Sequence, residues 1–120
     1  MKSVIPPFDA RITQQGRLRI VRVAGEVDIL TAPKLAATLK DDDAFDALVL
    51  DVAKMPFITS AGLRVIASLH RRLSRRGGGV ALASVQPFVA RVLEIVGLAD
   101  TLPIAPDVRT ATRLLAAQHA

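Results

Sequence analysis

Two adjacent hydroxyls, Thr59 and Ser60, stand between the apolar pair Phe57-Ile58 and the sequence Ala61-Gly62-Leu63. This spacing reads as a strand exit followed at once by a helix start. Backbone N–H groups at a helix N-terminus have no intrahelical partners, and the helix dipole adds about half a positive charge there. A phosphate on Ser60 is therefore electrostatically tolerated, which makes Ser60 a candidate switch residue. Ser and Thr are also the ordinary N-cap residues, so capping and switching stand side by side at this stage.

Other chemistry finds less support. A serine nucleophile needs a base within hydrogen-bond reach. The two histidines are His70, expected on the apolar face of a helix, and His119 at the penultimate position. The acidic run Asp41-Asp42-Asp43 follows a helix without the spacing of an EF-hand, and reads as a solvated loop. Asp28 and Asp51 each sit near a strand end, where turn hydrogen bonding or helix capping accounts for them. Gly77-Gly78-Gly79 has a helix before it and a strand after it, the reverse of a phosphate-binding loop. No enzyme activity, cofactor or metal site is expected.

The chain has 120 residues, a length suited to one domain, with 51% hydrophobic and 22% charged residues. Trp and Tyr are absent and Phe numbers four, so the core must be aliphatic. The absence of cysteine excludes disulfides, thiolate catalysis and cysteine-ligated zinc, and suits a cytoplasmic protein. No apolar run approaches the roughly 20 residues of a spanning helix, and Met1–Pro7 lacks a signal-peptide core, so no membrane insertion is expected. The net charge of +5 includes Arg64, Arg71, Arg72, Arg75 and Arg76 in one predicted helix. With no aromatic platform beside them they read as a solvated face, not a nucleic-acid site.

The elements that position these residues follow from hydrophobic periodicity. Phe8 to Gly25 predicts a β-hairpin broken at Gln14-Gln15-Gly16, its alternation slipping between Ile20 and Val21 through a bulge or a strand covered on both faces. Thr31-Ala32-Pro33 predicts a hydroxyl-capped helix running to Lys40. Ala47–Val52 reads as a central strand buried on both faces. A second helix runs from Ser60 to about Arg76, then comes a strand at Val80–Ala83. A third helix opens at Gln86 or Pro87 and closes at Gly97, and a short edge segment lies at Thr101–Ile104. Asp107 precedes a last amphipathic helix. The expected fold is one α/β domain over residues 1–120, with its core at about 8–118 and a tail at 1–7. It has a mixed, mainly parallel sheet of four to five strands and about four helices. Loops at the C-terminal ends of parallel strands would bring Asp28 and Ser60 to one surface.

Gly25-Glu26-Val27-Asp28-Ile29-Leu30-Thr31-Ala32, the strand around Asp51, the Phe57–Leu63 motif and Val92-Leu93-Glu94-Ile95-Val96-Gly97-Leu98 together resemble the STAS domain. More narrowly, they resemble bacterial anti-sigma-factor antagonists. The resemblance implies a protein that is substrate and binder, not catalyst. Its partner would be an anti-sigma factor that is also a serine kinase, with a phosphatase as a further partner. Phosphorylation would fall on Ser60, with Thr59 as the alternate, and would break the complex. The expected partner-binding residues are Asp28, Thr31, Thr59, Ser60, Gly62, Leu63 and Arg64. The family motif usually carries aspartate just before the phosphoserine, where this chain has Thr59. That departure admits a second role, an unphosphorylated scaffold subunit of a stress-signalling or lipid-transport complex.

Overall fold

The chain enters its sheet through a hairpin. β1 (Asp9–Gln15) and β2 (Leu18–Ala24) pair antiparallel across a two-residue turn, with Gly16 at a φ of 61°. A positive φ at the first turn position suits a glycine and matches the right-handed strand twist. The computed structural model describes residues 5–40 and 42–118, so Asp41, His119 and the first four residues of the expected tail lie outside the described residues.

Beyond the hairpin, strands alternate with helices as expected. α1 spans Ala32–Thr38, β3 Ala47–Lys54, α2 Ser60–Arg75, β4 Gly79–Ala83, α3 Pro87–Ile95, β5 Ile104–Ala105 and α4 Val108–Gln118. The sheet order is β1-β2-β3-β4-β5, and every pairing after the first is parallel. α1 stops two residues before Lys40, and the edge strand sits later than Thr101–Leu102 because a single 3-10 turn at Leu98–Asp100 intervenes.

The phase slip in β2 resolves in favour of two covered faces. Val21 and Val23 face a core built with Leu48, Leu50 and Val52 of β3 and with Leu63, Ile66, Leu69 and Leu73 of α2. Ile20 points the other way, into a smaller cluster with Val49, Ala81, Ala83 and the α4 residues Ala111 and Leu115. Small side chains on that face let α4 lie close to β4. A bulge does exist, but it lies lower, between Arg22 and Ala24.

α2 ends in a tight αL turn. Gly77 takes a φ of 83° and its N–H bonds to Ser74 O at 3.1 Å, while Gly78 N–H bonds to Leu73 O at 2.8 Å. These two bonds satisfy carbonyls that the helix would otherwise leave free. His70 is half-buried and ties this helix to the sheet, its Nδ1 accepting the Val80 N–H at 3.1 Å. Two α2 arginines are engaged within the fold, Arg76 with the Phe45 carbonyl at 2.6 Å and Arg72 with Ser68 Oγ.

Candidate functional site

The site forms where β2 and β3 end. Past the bulge the two segments stay joined: Gly25 N–H donates to Lys54 O at 2.9 Å, and Val27 N–H to Phe57 O at 3.0 Å. Thr59 N–H donates to Val27 O at 2.9 Å, completing a parallel bridge between Val27 and Ile58. Both of those side chains are buried, so the register is fixed by packing as well as by hydrogen bonds. Because Val27 pairs with Ile58, the next residues, Asp28 and Thr59, come side by side. The two polar motifs of the sequence therefore share one surface.

Gly62 is what allows the approach. A Cβ there would fall 2.5 Å from Val27 Cγ1 and 2.8 Å from Ile58 Cγ1, so any larger residue would push the first turn of α2 off the bridge. Gly62 and Leu63 are both buried and lie beneath the surface. Arg64 is exposed one helical turn after Ser60, on the same side of α2.

The adjacent hydroxyls have different surroundings. Thr59 is the N-cap of α2 by backbone position, with φ −100° and ψ 175°, yet its side chain makes no capping bond. Its Oγ1 is buried and has no hydrogen-bond partner among the described residues. Ser60 is the first helical residue and is exposed, and no acidic side chain occupies the first turn of α2. The accessible hydroxyl thus sits at the positive end of a 16-residue helix dipole.

On the neighbouring loop, Asp28 and Thr31 close a ring of hydrogen bonds. Asp28 Oδ1 accepts the N–H groups of Leu30 at 2.9 Å and Thr31 at 3.0 Å, while Thr31 Oγ1 accepts the Asp28 N–H at 2.9 Å. The Thr31 hydroxyl donates to Glu26 O at 2.9 Å. Thr31 therefore does not cap α1 through its side chain, as its position before Ala32-Pro33 predicted. The Asp28 carboxylate instead closes an Asx turn on the N–H groups just ahead of α1, and the helix's own first N–H, that of Ala32, donates to the Asp28 carbonyl at 2.8 Å. The Thr31 N–H bond, then that of Leu30 and the Thr31 hydroxyl, hold the Asp28 carboxyl below its usual range against the opposing effect of desolvation.

This ring also turns two aliphatic side chains outward. Ile29 is 77% exposed and Leu30 80%, next to Asp28 and on the same end of the sheet as Ser60. Sequence reasoning named the residues on either side of them and missed these two. The signal was present in the Asp-x-x-Thr spacing, since a closed Asx turn points its middle residues away from the fold. Phe57 stacks on half-exposed Phe88 of α3, with centroids 5.4 Å apart, so an apolar border also lies on the α3 side.

Among the described residues, no histidine stands beside Ser60. His70 lies ten residues along α2, bound to the Val80 backbone and to Ser74 Oγ at 3.3 Å. Among the described residues no three His, Cys, Asp or Glu side chains cluster as a metal site, and no helix is long and apolar enough to cross a membrane.

The family model for the STAS domain matches residues 9–111, which span both motifs of this surface. The chain belongs to the STAS domain family. It is 32% identical over 90 residues to the anti-sigma F factor antagonist of Paenibacillus polymyxa, covering 71% of this chain and 75% of that protein. The crystal structure of an anti-sigma factor antagonist from Mycobacterium paratuberculosis superposes with a TM-score of 0.82 at 26% identity, over 91% of this chain and 94% of that one. The Bacillus cell fate determinant SpoIIAA in its phosphorylated form shares the fold, with a TM-score of 0.69 at 18% identity, over 90% of this STAS chain and 99% of that one.

Proposed function

We propose that this STAS domain is an anti-sigma-factor antagonist. In its unmodified form it binds an anti-sigma factor that is also a serine kinase, releases the sigma factor, and is switched off by phosphorylation at Ser60. The observation that carries the reading is the contrast between the exposed Ser60 hydroxyl at the start of α2 and the buried Thr59 Oγ1 beside it. A kinase must reach the hydroxyl that it modifies, so Ser60 is the acceptor and Thr59 is not.

The electrostatics agree with that assignment. A phosphate adds about −1.5 to −2 charges, which the free N–H groups of α2 accommodate in the isolated domain. In a complex, the same charge would stand in the middle of a surface bordered by Ile29, Leu30 and Phe88, where a partner's apolar contacts would have to desolvate it. Modification is thus cheap for the antagonist and costly for the complex. With neutral Thr59 just before the acceptor and no acidic side chain in the first turn of α2, the kinase of this system recognises a less acidic site than the family's Asp-Ser motif offers. The names of its relatives support the pathway, and one neighbour of the same fold is known in phosphorylated form.

The test is phosphosite mapping after incubation with the cognate kinase and ATP. The expected product carries one phosphate, on Ser60, and Ser60→Ala abolishes incorporation while Thr59→Ala leaves it in place. No incorporation by a kinase shown to be active on its own antagonist would overturn the switch and return the domain to a scaffold role.

A further inference from the structure

The opposite face of the sheet carries a site that the switch does not use. Cross-strand register places Arg11 of β1, Arg22 of β2 and Asp51 of β3 side by side on the face that α4 covers farther along. α4 packs on Ile20, Val49 and the β4 alanines, and among the described residues none from α4 lines the cleft beside these three. What remains is a cleft of about 770 Å³, within the range of roughly 300–1,000 Å³ typical of small-molecule sites.

The cleft has a built wall. Pro6, Pro7 and Phe8 cross the end of β2 and close one side. They are held there by Gly25, whose φ is 88°. A Cβ at that position would fall 2.7–2.8 Å from Phe8 N, Phe8 Cα and Pro6 O. Both the positive φ and the close backbone approach require glycine. Ala24 and Ala53 add apolar surface to the lining.

The charges of the cleft define what it can hold. Arg11 Nε lies 3.1 Å from Asp9 Oδ2, and Arg22 Nε 3.5 Å from Asp51 Oδ2, so each guanidinium already has a carboxylate. Lys54 also lines the cleft and forms no ion pair among the described residues. One negative charge balances the site. A polyphosphate would meet Asp9 and Asp51 as well as the cations, and like charges at close range raise the cost of binding.

We propose that this cleft binds a small monocarboxylate with an apolar body, its carboxylate beside Lys54 and its body against the Pro6–Phe8 wall. The site is independent of the Ser60 surface, although Gly25 N–H bonds to Lys54 O and so joins the cleft to the segment leading into Asp28.

Titration of the isotopically labelled chain with octanoate and with benzoate, followed by backbone amide NMR, tests the proposal. Inorganic phosphate and ATP serve as contrasts. The expected result is saturable shifts at Phe8, Arg22 and Lys54, with Ser60 and Arg64 unmoved and with phosphate and ATP binding more weakly. Lys54→Met should weaken binding about tenfold, the effect of losing one modest charge contact. Ala53→Phe, placed on an exposed lining position, should fill the cleft and abolish binding while the folded spectrum is kept. Absence of saturable shifts into the millimolar range, shifts centred elsewhere, or unchanged affinity in both variants would overturn the proposal.

Discussion

Ser60 and Thr59 show how one residue of offset divides two chemically similar side chains. Ser60 lies on the first turn of α2 and faces solvent, whereas Thr59 turns its Oγ1 into the fold without a partner. An unsatisfied buried hydroxyl costs about 1–3 kcal/mol, and no capping bond offsets it here. Thr59→Val is therefore expected to leave stability unchanged or raise it by about 1 kcal/mol in chemical denaturation, with phosphate incorporation at Ser60 preserved. Asp28 makes a second prediction, with a sign set by its lowered pKa. A carboxylate depressed on folding stabilises above its unfolded value, about 3.9, and that contribution is lost as pH falls through the folded value. The protection of the Leu30 and Thr31 amides against hydrogen exchange, relative to the unfolded chain at the same pH, should fall below about pH 4, and Asp28→Asn should remove that pH dependence. The sequence displayed Asp28, Thr31 and Ser60 as polar exceptions among apolar neighbours. The outward Ile29 and Leu30 were marked only by the Asp-x-x-Thr spacing around them, because hydrophobic residues in a motif read as core unless the Asx turn is recognised.

At the scale of elements, glycines fix how helices meet strands. Gly78 lies so close to Asp46 that a Cβ would overlap the Asp46 carbonyl oxygen, and neither backbone can yield without moving β4 or the end of β3's approach loop. Gly78→Ala should therefore destabilise the domain by about 3 kcal/mol, the upper range of overpacking costs, as measured by urea unfolding. Gly77, with open space around its Cβ position, should be affected only through its positive φ. The helices were legible because a period of 3.6 residues stands out in Leu63–Leu73 and Val89–Leu93, the central strand because Ala47–Val52 is an almost unbroken apolar run, and the hairpin because Gln14-Gln15-Gly16 breaks two strand-like segments. Two details were not. The apparent slip at Ile20-Val21 came from a strand buried on both faces, where alternation carries no sign of which side is core. The end of α1 and the placement of β5 depended on tertiary contacts, which Lys40 and Thr101 do not announce.

For the whole molecule, topology separates two surfaces. The ends of β2 and β3 present Asp28 and Ser60 on the side where α1 and α2 pack, and the same strands line the carboxylate cleft on the α4 side. Convergence of the two polar loops was expected from the rule that parallel strands gather functional loops at their C-terminal ends. The cleft was not legible, because Pro6 and Pro7 read as a tail until Gly25 is seen to admit their close approach.

The most direct test of the antagonist account is equilibrium binding of the cognate anti-sigma factor to two forms of this chain, one unmodified and one carrying phosphoserine at position 60. The account predicts tight binding of the first and at least about 100-fold weaker binding of the second, near 2.7 kcal/mol. Equal affinity for the two forms would contradict it.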